Sequence, residues 1–576
     1  MWLHLHLAKE SPVMPRKKYD AIVVGSGAAG GCAAKELTEG GLDVLVLEAG
    51  RDVDPAKDFN THTWPYQHKY RGNFAPGVKE RTQWNQIYAD GFTSHLYLKD
   101  SEHPYSTPAG QPYIWVRSRI VGGKILHWGR NARRLSDYDF RAADRDGYGE
   151  NWPIRYEDLA PYYDKLEEFV GVCGSRENLP QLPDGKYLAP MRLNCGEAIL
   201  RQVAPTLGLG MTVIPKRAAM RPSSTHGLGQ CHFCGTCEMG RGCDVNGFWN
   251  SVGDTLLAAR QTGRLTLRPN SVAHQVLLEK GHGDRVRGVS FFDRRTRRYQ
   301  EAESQVVVLG ASALESTRIL LNSVSRHWPD GMANSSGVLG RYLMDNIGGP
   351  SVEGFLPALM SREVVNEDGK AGGIDVVAYR NMTERHPKFI RSYVHEGATG
   401  AQLFPHYANR ISGWGEGFKR RVKRNYTAWF SLNTRGEMLA RRENFVEIDK
   451  ARVDAWGIPV LKIHCQHSDN EREMAKDAAE NLRALAVAAK AENIRVEDGL
   501  LTPGMIIHDM GTARMGNDPK KSVLNKWNQA HDIPNLFVVD GACFVTSGGY
   551  GPTLTIGTLA TRASAYIVEE MKRGNL

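Results

Sequence analysis

The sequence predicts an α/β protein in two parts. A parallel-sheet domain is divided between the two ends of the chain, and an antiparallel-sheet domain with helices lies between them. Three observations predict this. Near the N-terminus a buried strand runs through a glycine-rich turn into a helix and on to a second strand. Near the C-terminus a strand, a glycine-rich loop and a closing helix return to the same texture. Between residues 348 and 503 strand-like segments alternate with charged loops and lead to one long helix.

The chain has 576 residues, too many for a single core, so two or more domains are expected. Hydrophobic residues make up 41% and charged residues 24%, an ordinary globular composition, and no apolar run is long enough to span a bilayer. The net charge is +9, partly from the cluster KRRVKR at 419–424. Such a run is a solvated face or a dock for an acidic partner. No nucleic-acid motif accompanies it, so nucleic acid is not expected as a partner. Residues 1–20 lack a basic n-region followed by an apolar core, and MPRKK at 14–18 reads as a natural start. The expectation is a cytoplasmic protein, or a periplasmic one if it is exported with a partner.

The first unit is YDAIVVGSGAAGGCAAKELTEGGLDVLVLEAG, residues 19–50. The run 21–24 is a buried strand, 28–37 a helix stopped by Gly40-Gly41, and 44–47 a second strand ending at Glu48. Gly25, Ser26, Gly27, Ala28, Ala29 and Gly30 match G-x-G-x-x-G in a Rossmann-type context. Gly25 permits the tight turn, Gly27 admits a pyrophosphate, and Gly30 lets helix and strand pack closely. The helix N-terminus offers N–H groups to phosphates, and Glu48 offers a carboxylate to a ribose diol. The motif alone does not separate NAD from FAD.

Residues 51–110 are irregular and too long for a plain connection, so they are expected to wrap the cofactor or shape an entrance. Gly122-Gly123 before KILHWGR suggests backbone lying close to a flat ligand. A helix is expected from 156 to about 172, residues 186–230 read as mixed, and a helix runs from about 251 to 262. Strands follow at 265–267, 272–279, 288–292 and 305–309, then a small-residue turn at 310–312 and a helix through 322. The antiparallel region offers strands at 373–379, 389–394, 427–433, 445–448 and 460–464 and a helix at 470–489. The last stretch holds HDMGTARMG at 508–516, a strand ending in Asp540-Gly541, and SGGYGPTLTI at 547–556 before the final helix. Pro552-Thr553 at a helix start is a place to hold a polar cofactor edge.

Together these motifs resemble the glucose–methanol–choline (GMC) oxidoreductases, over nearly the whole chain and in the expected order. Within the family they are most similar to bacterial sugar and glycoside dehydrogenase catalytic subunits, through AAKELTE at 33–39, EAGR at 48–51, HWGR at 127–130, LSDYDF at 135–140 and the cysteine-rich loop. The resemblance implies a discontinuous Rossmann-type FAD-binding domain at 15–150, 251–347 and 504–576, a helical and cysteine-rich insertion at 151–250, and a substrate-binding domain at 348–503. It implies oxidation of a CH–OH group of a sugar or glycoside, with FAD as hydride acceptor and an electron-transfer or small partner subunit. The implied FAD contacts are Gly25, Gly27, Ala28, Ala29, Gly30, Glu48, Gly123, His127, Trp128, Val272, Gly310, Asp540, Gly541, Pro552 and Thr553.

His508 matches the family's catalytic histidine, and a neutral imidazole suits proton removal because its pKa lies near working pH. The family places a second His or Asn just before the proline of the last motif. This chain has Gly551 there, and the neighbouring Tyr550 is the expected substitute. His127 matches a position where some relatives bond FAD covalently; non-covalent FAD is favoured. Cys231, Cys234, Cys237 and Cys243 have C-x2-C-x2-C-x5-C spacing. That spacing suits an iron–sulfur cluster or structural zinc, or else plain reduced thiols or a disulfide.

Overall fold

The computed structural model describes residues 18–59, 61, 63, 67, 70, 83–235, 237, 242–363, 373–400 and 405–576. The N-terminal start at 14–17, parts of the 51–110 segment and positions 236 and 238–241 of the cysteine-rich loop lie outside the described residues.

Two large sheets carry the fold. In the first, the strand order is Leu265–Arg268, Val44–Leu47, Lys18–Val24, Tyr299–Leu309, Val286–Asp293, Ser271–Leu278, and Leu536–Val538 also pairs with Tyr299–Leu309. The contacts among 265–268, 44–47, 18–24, 299–309 and 536–538 are parallel. A parallel sheet is covered on both faces, so its strands read as unbroken apolar runs rather than alternating ones. Ala21–Val24, Val44–Leu47 and Val306–Leu309 are all buried. The helices Ala28–Glu39 and Thr553–Lys572 pack on each other, which joins the two ends of the chain into one layer. The strand Tyr299–Leu309 is longer than its apolar run. Its polar first half pairs antiparallel with Val286–Asp293, and its buried second half pairs parallel with Leu536–Val538.

The second sheet is antiparallel throughout its described pairs, in the order Glu492–Glu497, Ser351–Phe355, Trp429–Glu437, Tyr393–Thr399, Ile374–Val376, Val213–Pro215, with the short strand Asn346–Ile347 on Trp429–Glu437. The helix Asp469–Ala488 lies against it, opened by a capping box between Ser468 and Glu471. A separate apolar core sits under each sheet.

Several elements differ from the sequence expectation. The segment 186–230 contains the helix Cys195–Val203 and the strand Val213–Pro215, which joins the second sheet. The expected strand at 389–394 starts four residues later, after Arg391 turns the chain with φ +70. The basic cluster 419–424 lies on an exposed helix, Gly415–Asn425. Among the described residues no helix is long and apolar enough to cross a membrane.

Candidate active site

One cavity runs across the C-terminal ends of the parallel strands, from Glu48 to His508. At its Glu48 end the three glycines of the 25–30 turn have distinct surroundings. Gly25 sits at φ +94, and a Cβ there would meet Gly310 O at 2.5 Å. A Cβ on Gly30 would run into the Gly25 carbonyl oxygen. Gly27 faces open space, with Gly122 O at 3.7 Å the nearest atom to a built Cβ. The helix Ala28–Glu39 starts at Gly27 with no side-chain cap, so its first N–H groups are left for a ligand.

Glu48 is buried, and burial raises its pKa against the hydrogen bonds it accepts from Ser26 N, Ser26 Oγ at 2.6 Å and Gly50 N at 2.7 Å. Ser26 Oγ in turn accepts from Gly122 N at 2.9 Å, tying the fingerprint to the Gly122-Gly123 turn. Arg119 also lines the cavity. Its Nη1 is buried and has no partner among the described residues. An uncapped helix start, a bare glycine beside it and an orphaned guanidinium nitrogen fit an anionic dinucleotide. Val272, Gly310, Asp540, Gly541, Pro552 and Thr553 line the same cavity. Asp540 accepts from Ser316 Oγ at 2.5 Å and from Ala542 N at 3.0 Å, and burial lifts its carboxyl to about 6.

His127 and Trp128 form part of the wall. Both ring nitrogens of His127 are engaged, Nδ1 with the Tyr97 hydroxyl at 3.2 Å and Nε2 with Ser118 Oγ at 2.7 Å, and burial pushes its pKa down to about 4. Trp128 donates to Trp249 O at 2.9 Å and stands edge-on to that ring. Lys124 brings a cation to the wall, 3.3 Å from Asp509 Oδ2, while Tyr113 donates to Asp509 Oδ1 at 2.5 Å.

At the other end stands His508. Asp345 holds its loop: Gly504 N and Ile506 N donate to Asp345 Oδ2 at 2.9 and 3.2 Å, and His508 N donates to Oδ1 at 3.0 Å. The imidazole is set by Asn346. Asn346 Nδ2 donates to Gly436 O at 3.1 Å and to Gly548 O at 2.7 Å, which uses both amide hydrogens and turns Oδ1 toward His508. His508 Nδ1 therefore carries the hydrogen across the 2.8 Å contact, and Nε2 keeps its lone pair. Burial first, then the Arg435, Lys124 and Arg133 cations against an opposing Glu396, pushes the His508 pKa down to about 3. The ring is neutral at ordinary pH.

The structure does not bring Tyr550 to this cavity. Gly551 and Tyr550 face different surroundings. Gly551 faces His508, with Nε2 3.6 Å from where its Cβ would be. Tyr550 is buried the other way, its hydroxyl 3.4 Å from Ala378 N and its ring 5.9 Å from the Arg133 guanidinium carbon. Cys231, Cys237 and Cys243 belong to one small apolar cluster with Cys173 and Phe248. Cys231 and Cys243 accept backbone N–H groups of Phe233 and Gly247, and among the described residues no three His, Cys, Asp or Glu side chains are grouped to hold a metal ion. Sequence reasoning missed Asn131, Asn346, Asp345, Lys124 and Arg119. Only Lys124 and Arg119 carried a signal, as cations flanking the Gly122-Gly123 turn.

Comparison with known proteins follows this geometry. The GMC oxidoreductase family models match residues 19–346 and 440–560. The chain is 28% identical to a 2-methyl-1,2-propanediol dehydrogenase of Mycolicibacterium austroafricanum, covering 95% of each chain. It is 27% identical to the fructose dehydrogenase large subunit of Gluconobacter japonicus, covering 96% of this chain and 98% of that one. Its fold matches the crystal structure of a pyridoxine 4-oxidase from Mesorbium loti with a TM-score of 0.59 at 16% identity, over 95% of this chain and 98% of that one. The chain belongs to the GMC oxidoreductases, a family that acts on CH–OH groups and whose membership implies FAD.

Proposed function

We propose that this GMC oxidoreductase is a dehydrogenase that oxidises a secondary hydroxyl of a sugar or glycoside to a ketone. The observation that carries the reading is the bare Nε2 of His508, held as an acceptor by Asn346 and turned into the cavity that also holds the nucleotide motif. FAD, when bound, supplies the acceptor for the hydride. Everything else is the work of the chain. The 25–30 turn, Glu48 and Arg119 would hold the dinucleotide, and 541 with 551–553 line the same cavity. His508 Nε2 takes the hydroxyl proton while the Asn346 contact keeps the other nitrogen protonated. Asp345 keeps the histidine loop from shifting. With both nitrogens of His127 already hydrogen-bonded, non-covalent FAD is the reading the wall supports.

The substrate class draws support from relatives named for a diol and for fructose. That one relative is a large subunit supports an electron-transfer or small partner subunit for this chain. No step is assigned to an iron–sulfur cluster.

The test is anaerobic flavin reduction, followed by absorbance, over a panel of sugars, glycosides and simple alcohols. Bleaching by sugars or glycosides, with turnover sustained by an artificial acceptor and little peroxide formed in air, is the expected result. Rapid peroxide production in air sinks the dehydrogenase reading in favour of an oxidase. Absence of bleaching by every donor sinks the enzymatic reading.

A further inference from the structure

The family's second polar residue is missing at Gly551, and the space it leaves is shared by two side chains. A Cβ at 551 would lie 3.6 Å from His508 Nε2 and 3.8 Å from Asn131 Cβ, with no positive φ to forbid a side chain. Asn131 comes from the other side of the cavity. Arg130 turns the chain at φ +59, and the bridge between Asn131 and Ala218, with Ala132 N donating to Arg217 O at 3.0 Å, fixes the backbone.

The Asn131 amide has one orientation. Its Nδ2 donates to Glu396 Oε2 at 2.9 Å. Burial alone would raise the Glu396 carboxyl, but Arg435, Arg133 and Lys216 beside it outweigh burial and hold it well below the usual carboxylate range. Glu396 is thus an acceptor only. It is gripped by Arg133 Nη2 at 2.9 Å and Arg435 Nε at 3.2 Å, so it cannot swing away. The amide oxygen is left over. Asn131 Oδ1 is buried, has no hydrogen-bond partner among the described residues, and belongs to a residue that lines the cavity. A buried acceptor without a donor is a cost that a ligand can remove.

We propose that Asn131 Oδ1 takes the place of the side chain missing at 551 and accepts a hydrogen bond from the hydroxyl next to the reacting one, so that the enzyme selects vicinal diols. The inference rests on His508 as the base. Two acceptors then face one substrate, His508 Nε2 for the reacting hydroxyl and Asn131 Oδ1 for its neighbour. A mono-alcohol satisfies the first and leaves the second buried and unpaired. Glu396, Arg133 and Arg435 act behind Asn131 as positioning residues.

The experiment compares the holoenzyme with Asn131→Ala and with Asn131→Ala/Gly551→Asn. Probes are methyl β-D-glucopyranoside against its monodeoxy forms, and 1,2-propanediol against 2-propanol. The wild type is expected to favour each diol over its deoxy partner. Asn131→Ala is expected to lower that preference about 10- to 100-fold, the loss of one hydrogen bond to a buried group, and the double variant to restore part of it. If both members of each pair slow together, or the preference does not change, the assignment fails. Calorimetric binding of the glucoside to enzyme with its flavin already reduced decides the point apart from turnover. Affinity about tenfold weaker or more in Asn131→Ala supports the contact, and equal affinity overturns it even if the wild type reduces its flavin with no donor, which would separately sink the proposed function. Should the alanine variant lose its flavin, Asn131→Gln moves the same amide by one methylene and gives the same comparison.

Discussion

The two ends of the cavity are built in opposite ways. The nucleotide end is built around the backbone of the contiguous 25–30 turn, with Glu48 and Arg119 as its polar side chains, and three of its residues matter for what they lack: Gly25, Gly27 and Gly30 make room. The His508 end is made of side chains from distant segments, with Asn131, Asp345, Asn346, Glu396 and His508 each fixed by polar partners. A ligand common to many enzymes is met by shape that tolerates no added atom. A ligand particular to one enzyme is met by charges and acceptors that can be exchanged one at a time.

The contrast can be broken most severely at Gly30. Gly30→Ala places a Cβ against the Gly25 carbonyl, and neither backbone can yield. The expected product carries no flavin absorbance at all, whatever its residual fold by circular dichroism. At the other end, His508→Ala is expected to keep its flavin and to reduce it about 10²- to 10⁴-fold more slowly, the usual worth of a general base. A variant that loses flavin along with rate would blur the division between the two ends.

Asn346 gives a finer cut. Asn346→Leu frees the imidazole tautomer, and a loss of about tenfold or more in kcat/KM is expected with flavin content unchanged. The pH profile separates positioning from bulk. As the proposed base, His508 works when neutral and fails when protonated. With a pKa near 3, wild-type kcat/KM holds as pH falls from neutrality and declines only close to that value. In Asn346→Asp a carboxylate accepts the Nδ1 hydrogen and favours the imidazolium, so the decline must begin at higher pH. Rates are best read seconds after a pH jump. Below the ordinary histidine value of 6.5 the unfolded chain takes up a proton that folded His508 refuses, so stability also falls on acidification until the folded pKa is reached.

The smallest expected effect is at Tyr550. Tyr550→Phe removes only a 3.4 Å contact to Ala378 N, outside the main cavity, and is expected to change the rate less than about twofold. A large fall in flavin reduction would return Tyr550 to the site.

This division also explains what could be read in advance. Residues 19–50 carry their geometry locally, because a turn, a helix start and a strand end are properties of neighbours in sequence. The split parallel sheet followed from buried runs without alternation. The helix Cys195–Val203 was missed although Asn194 and Glu197 form a capping box, because its apolar face is short. Adjacency in sequence does not give Tyr550 the surroundings of Gly551: Gly551 lines the main cavity, whereas Tyr550 lies with Ala378 and Gly549. Asn346 had no signal at all. Its role exists only because two carbonyls 90 and 202 positions away consume its hydrogens.

One detail of the scaffold bears on how such a protein can change. Asp345 and Asn346, which hold the histidine, sit at the start of the Asn346–Ile347 strand on the antiparallel sheet, whereas the nucleotide turn sits on the parallel one. The molecule works as a caliper, with one jaw on each sheet and the gap between them as the quantity inherited. Ser351–Phe355 pairs with Trp429–Glu437 and Glu492–Glu497 lies at the edge beyond it, and no residue of either strand lines the cavity. Substitutions along Trp429–Glu437 reset the caliper, because Asn346–Ile347 pairs with that strand.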